Sequence, residues 1–181
     1  MSFKVFYEMP SMSNDDGDSV NPNDVQKRFN IVSAKKPISL DQNDKFYFPT
    51  YQAQMGLFIT FAVDKETSQA VARVSYQYEP KGIPLINFSG VIDAYRGQGI
   101  AQQIYEQLLN RYGKLGSDTH LSPHSFKLWK RLGDKYPGKT YVSNLTNNWK
   151  DEKESELFPV DGFSLSDLGN NSHFIICLRN C

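Results

Sequence analysis

Residues 91 to 101 read Val91-Ile92-Asp93-Ala94-Tyr95-Arg96-Gly97-Gln98-Gly99-Ile100-Ala101. They close an apolar run, Leu85 to Ile92, and open an amphipathic one. The first run predicts a strand, the second a helix, and Arg96, Gly97 and Gly99 fall in the loop between them. Such a loop is how a backbone builds an anion site. Glycines let the main chain approach a ligand closely, and the first N–H groups of the helix have no intrahelical acceptor. The helix dipole adds partial positive charge and Arg96 a full one. The expected ligand carries phosphates.

Working outward, Ile100, Ala101, Ile104, Tyr105, Leu108, Leu109 and Tyr112 form an apolar stripe at helical period. Gln102, Gln103, Glu106, Gln107, Asn110 and Arg111 take the other face, and Gly113 is a natural stop. Two familiar glycine loops do not fit. A P-loop needs a terminal Gly-Lys-Ser/Thr, which is absent. A dinucleotide fingerprint needs a third glycine where Gln102 stands, and an early βαβ unit, whereas about 90 residues precede this loop.

Arg96-Gly97-Gln98-Gly99-Ile100-Ala101 matches the Arg/Gln-x-x-Gly-x-Gly/Ala signature of GNAT-type N-acetyltransferases, and the chain resembles a divergent member of that family over about residues 55 to 143 and 172 to 179. The resemblance implies an α/β fold of α+β type, with a mixed, mostly antiparallel central sheet flanked by helices. It implies acetyl-coenzyme A as cosubstrate and no metal. The pyrophosphate would lie on Arg96, Gly97, Gln98, Gly99, Ile100 and Ala101. Main-chain groups of Ser89 and Val91 on the preceding strand would meet the pantetheine arm.

The rest of the chain is read as one domain, residues 1 to 181. Residues 3 to 7 alternate weakly, as a first strand would. Residues 11 to 24 form a polar loop; Asn14-Asp15-Asp16-Gly17-Asp18 resembles part of a calcium loop but lacks the terminal glutamate. Asp24 is the expected cap of a short helix, Val25 to Phe29. Met55 to Val63 and Ala70 to Tyr78 flank a short turn and predict a hairpin, with Leu85 to Ile92 as the next antiparallel strand. Leu115 to Thr119 predicts a short strand. Ser122-Pro123 predicts the start of a helix reaching about Lys135, with Leu128, Trp129 and Leu132 inward. Thr140 to Val142 and His173 to Leu178 predict two more strands. Residues 144 to 171 between them read as a long polar insertion. Cys177 reads as core and Cys181 as exposed. No signal peptide and no run of 18 apolar residues is visible, so no membrane span and a cytoplasmic location are expected.

Net charge is zero, yet Arg96 to Lys139 holds eight basic residues against three acidic ones. Solvated helix faces account for that, or a basic surface for coenzyme A phosphates or nucleic acid. Acyl transfer needs a polarised carbonyl, a neutral amine, a proton for the leaving thiolate and two substrates held together. Asp118, His120 and His124 cluster around the short strand's end, where the resemblance places the reaction; Asp118 and His120 are the candidate bases. Ser-His-Asp chemistry through Ser122 lacks its strand-turn-helix context. The family often has a tyrosine acid in a stretch like Asn-x-x-Ala-x-x-x-Tyr. Sliding that onto Ser122 to Trp129 puts Trp129 at the tyrosine, and an indole cannot serve. Tyr136, two turns on, or water is the expected substitute. The acceptor is an amine of unspecified kind: small molecule, protein or nucleic acid base. The alternative is a GNAT-fold binding or regulatory protein with a degenerate active site.

Overall fold

The computed structural model describes residues 20–54, 56–78, 82–117, 121–144, 157–159 and 172–178. The sequence expectations for residues 3 to 7, for Asn14 to Asp18, and for Asp118, His120 and Cys181 lie outside them.

The first helix, α1, spans Pro22–Ser33. Asn21, not Asp24, is its cap: the Asn21 side chain accepts from the Asn23 N–H at 2.9 Å, and Pro22 takes the first helical position. Asp24 instead sits in the first turn, where its charge faces the positive end of the dipole. The helix outruns the expected Phe29 because Val25, Phe29 and Val32 continue one stripe. Phe29 packs edge-on against Phe61 at 5.3 Å and Tyr51 at 6.3 Å.

A hairpin absent from the sequence expectation follows: β1, Ser39–Gln42, and β2, Phe46–Gln54. The β2 ladder with β3 (Leu57–Asp64) pairs Tyr47↔Val63 and resumes at Thr50↔Thr60. Pro49, which has no N–H to give, falls in the gap. The expected hairpin is β3 with β4, Ala70–Tyr78, and β5 follows as Pro84–Val91. The second helix, α2, spans Ile100–Tyr112 between two left-handed glycines, Gly99 at φ 72° and Gly113 at φ 75°. Strand β6 is Lys114–Gly116, and α3 is Pro123–Lys135. Ser122 caps α3 as the Ser-Pro pair predicts, accepting from the Ser125 N–H at 3.1 Å. Strands β7 (Thr140–Asn144), β8 (Leu157–Pro159) and β9 (Ser172–Cys177) complete the order. The segment expected as a long polar insertion, residues 144 to 171, contributes β8, which pairs with β7 through Val142↔Phe158.

The nine strands form one sheet in the order β1-β2-β3-β4-β5-β6-β9-β7-β8. Neighbours are antiparallel except β5 and β6. This is the mixed, mostly antiparallel architecture that the resemblance implies. Phe61, Arg73 and Gly90 are cross-strand partners and share the face under α1. Thr60, Val74 and Ser89 share the other, under α2. There the Arg111 guanidinium reaches Thr50 Oγ1 and pairs with Asp41, and the Tyr76 and Tyr112 hydroxyls meet at 2.8 Å. Trp129 of α3 is 1 % exposed and packs on Tyr105 of α2 at 5.3 Å between rings. Cys177 is buried, as expected.

Candidate functional site

The site begins with a defect in the sheet. Ser75 pairs with Phe88 and Tyr76 with Ile86, so Asn87 is an extra residue in β5. Its side chain accepts from Ser75 Oγ at 2.9 Å. A bulge of this kind bends the strand that carries it. Before the bulge β5 touches β6 through the pair Leu85↔Gly116; beyond it no pair joins the two among the described residues. The sheet opens there as a wedge.

The wedge exposes main chain. Ile92 N–H donates to Val71 O at 3.0 Å, toward the neighbouring strand β4. Strand backbone groups alternate in direction. The N–H and C=O groups of Ser89 and Val91 therefore point away from β4, toward the side that β6 has left.

A cleft of about 350 Å³ fills this position. Ser89 and Val91 line it from β5; Arg96, Gly97 and Gly99 from the loop; Ile100 and Ala101 from the start of α2. Tyr95 and Gln102 join them, and α3 supplies His124, Ser125, Leu128 and Arg131. Seven of the eight residues expected to hold a cosubstrate thus share one cavity. Gln98 is the exception: its Oε1 accepts from Lys45 Nζ at 2.9 Å.

The loop is built for close approach. Gly97 and Gly99 have φ of 74° and 72°, a region that favours glycine, and a Cβ on either would meet no protein atom within 4 Å. No acidic residue sits in the first turn of α2, and Gly99, its N-cap, has no side chain to cap it. The positive end of the helix is left for a ligand. The Arg96 guanidinium is oriented by Asp93, Nε to Oδ1 at 3.1 Å, which leaves its terminal Nη groups for an anion. Arg131 brings a second guanidinium from α3.

The loop is also anchored from behind. Tyr95 donates its hydroxyl to Asp64 Oδ2 at 3.2 Å. The Asp64 carboxylate also accepts the Thr67 and Glu66 backbone N–H groups, each at 2.9 Å. The Thr67 N–H foremost holds that carboxyl below its usual pKa, against the opposing effect of burial. Burial pushes the Tyr95 phenol up. From the β1–β2 turn, Asn43 donates to Gln103 Oε1 at 2.6 Å, beside the Lys45–Gln98 contact. Lys45 Nζ lies 5.3 Å and 5.4 Å from the Phe46 and Tyr95 ring centres.

Of the expected catalytic residues, only Tyr136 is among the described ones. Asp118 and His120 follow Ser117, which is buried just past the end of β6, but lie outside the described residues. Tyr136 is the C-cap of α3, beyond Arg131, and does not line the cleft. Trp129 turns to α2, so the register that sets it at an acid position does not describe this helix. The cleft face of α3 is instead His124, Ser125, Leu128 and Arg131, at steps of one, four and seven from His124. That spacing is visible in the sequence, but which face meets the cleft depends on how α3 packs. Tyr95 belongs to the quoted stretch, Val91 to Ala101, but Arg131 and the anchors Asp64 and Lys45 carry no motif. Among the described residues no group of three or more His, Cys, Asp or Glu could hold a metal ion, and no helix is long and apolar enough to cross a membrane.

No family model matches the chain, and no curated protein matches it. Solved structures do. The diaminobutyrate acetyltransferase of Paenibacillus lautus, in complex with L-2,4-diaminobutyric acid and coenzyme A, is 14 % identical with a TM-score of 0.43, covering 66 % of this chain and 69 % of that one. The ribosomal-protein-S18-alanine N-acetyltransferase of Escherichia coli is 10 % identical with a TM-score of 0.41, covering 90 % and 93 %. At these values the likeness carries no argument about activity, which rests on the site itself.

Proposed function

We propose that the protein is an acyl-coenzyme A-dependent N-acyltransferase, with acetyl-coenzyme A as cosubstrate and an amine as acceptor. One observation carries this reading: the glycine loop, the bare N-terminus of α2 and the outward main chain of Ser89 and Val91 converge on a single cleft. The loop and helix end suit a pyrophosphate. The strand edge suits an amide-bearing arm, which can extend the β5 ladder into the wedge. Acetyl-coenzyme A would supply the activated acyl group. A strand N–H would polarise its carbonyl, and the β6 end would bring the base. Asp118 and His120 are the residues to test as that base. Water is the better-placed acid, since Tyr136 does not line the cleft.

The second reading is a binding or regulatory protein that keeps the cleft without turnover. What favours it is the cleft face of α3, where no phenol stands among the described residues. Release of free thiol from acetyl-coenzyme A, measured with a panel of amines, separates the two. Amine-dependent release that falls about 10²–10⁴-fold in His120→Ala, with coenzyme A affinity kept, supports the enzyme and the base. Binding with no release on any amine supports the second reading.

A further inference from the structure

Helix α3 brings to the cleft a guanidinium that no carboxylate balances. Arg131 stands on the cleft face of that helix and its side chain is exposed. Its Nε donates to Lys127 O at 3.3 Å, one turn back. Among the described residues no acid pairs with it. Asp134 of the same helix pairs with Lys130 at 3.6 Å, and Glu106 of α2 pairs with Lys135 at 2.9 Å.

Arg96 is arranged in the same way. Its Nε is held by Asp93 and its side chain is exposed. Each guanidinium is thus tied at Nε by a contact from its own stretch of chain. Each keeps its terminal Nη groups, which can grip two oxygens of one phosphate. Both line the same cleft of about 350 Å³, Arg96 from the glycine loop and Arg131 from α3. Two like charges in one cavity repel each other, and a cavity lined by one sign of charge gathers ligands of the other.

The two cations are not equivalent. Arg96 has the open N–H groups of the α2 start beside it, and together they suit a pyrophosphate. Arg131 lies in the interior of α3, where backbone N–H groups are already spent on intrahelical bonds. It offers side-chain charge alone. That suits a terminal phosphate, which is close to a dianion at neutral pH and presents three acceptor oxygens on one compact group.

We propose that Arg131 binds the phosphomonoester on the ribose of the acyl donor, and so makes the cleft selective for coenzyme A over the same thiol without that phosphate. This rests on the acyltransferase reading. Coenzyme A carries its pyrophosphate and its ribose phosphate as separate anions, and dephospho-coenzyme A lacks only the second. The glycine loop and α2 hold what the two molecules share. Arg131 reads what distinguishes them.

Titration calorimetry on the full chain, with coenzyme A and with dephospho-coenzyme A, tests this in the parent, Arg131→Gln, Arg131→Lys and Arg96→Ala. The parent should bind coenzyme A about 10- to 100-fold more tightly than dephospho-coenzyme A, as for a charged hydrogen-bonded contact. Arg131→Gln should lower the affinity for coenzyme A by that same factor and leave the affinity for dephospho-coenzyme A unchanged, so the preference disappears. Arg131→Lys keeps the charge without the fork and should retain part of the preference. Arg96→Ala should weaken both ligands alike. Because Arg131 is exposed, its variants should melt with the parent. Equal affinity of the parent for the two ligands overturns the proposal. So does an Arg131→Gln protein that loses affinity for both alike or for neither. In these cases binding to the glycine loop still stands. Binding of neither ligand by the parent overturns the proposal and the acyltransferase reading together.

Discussion

Leu85 faces Gly116 across the parallel junction of β5 and β6, and the Leu85 side chain fills the space where a Cβ on Gly116 would stand. This contact is the hinge of the wedge. On one side of it the strands touch; on the other, past the bulge at Asn87, Ser89 and Val91 turn their main chain toward the cleft.

Gly116→Ala should therefore push β6 from β5 at their joining pair. Both Leu85 and Gly116 are buried, so relief by a simple rotamer change is limited. A stability loss of about 1–3 kcal/mol is expected in denaturant unfolding, as for other overpacked cores. A matched loss of coenzyme A affinity should accompany it. Unchanged stability would mean that the junction is looser than the fold implies.

Asp64 gives a pH dependence with a definite sign. Its folded pKa lies below the unfolded value because the Thr67 N–H and its companions favour the carboxylate. A depressed carboxyl pKa contributes stability that is complete above the unfolded value, about 3.9, and is lost as pH falls through the folded one. Asp64→Asn should melt below the parent at neutral pH, and the gap should close as the pH drops below about 4. Because Asp64 also holds Tyr95, the variant should bind coenzyme A less well at neutral pH. A gap that is constant with pH would remove the charge from the explanation.

Trp129 separates two accounts of α3. It is buried against Tyr105, so Trp129→Ala should cost about 3–5 kcal/mol of stability. Trp129→Tyr should bring no gain in acyl-transfer rate, since the new phenol would lie in the core rather than in the cleft. A clear rate increase in Trp129→Tyr would show that this helix turns its residue 129 toward the substrates.

These residues also show what could be read in advance. The Arg96 to Ala101 loop, α2 and α3 are legible because their signals are local: glycines at a helix start, an apolar stripe, a Ser-Pro cap. Asn21 and Asp24 suit a helix cap equally by residue type, and only the Asn21-Pro22 pairing decides between them. Strand β2 hides its period. Phe46, Phe48 and Thr50 are buried under α2 while Pro49 and Tyr51 are buried on the other face, so no alternation survives. Strand β8 is three residues long and gains its identity from pairing with β7. The cleft face of α3 and the buried position of Arg73 follow from packing between elements distant in sequence, which no local pattern carries.

The central claim is that the loop at the start of α2 holds the phosphates of acetyl-coenzyme A, and titration calorimetry with the full chain tests it most directly. The account predicts saturable binding, with about 2.7 kcal/mol of stabilisation when ligand reaches one hundred times its Kd. Arg96→Ala should lose about 1.5–3 kcal/mol of binding, as for a charged hydrogen bond. Gly99→Val should abolish binding while costing about 1–3 kcal/mol of stability, because a β-branched residue is strained at its φ of 72° and its side chain would fill the open space above the helix N–H groups. No heat of binding at millimolar acetyl-coenzyme A, or a Gly99→Val protein that binds like the parent, would contradict the account.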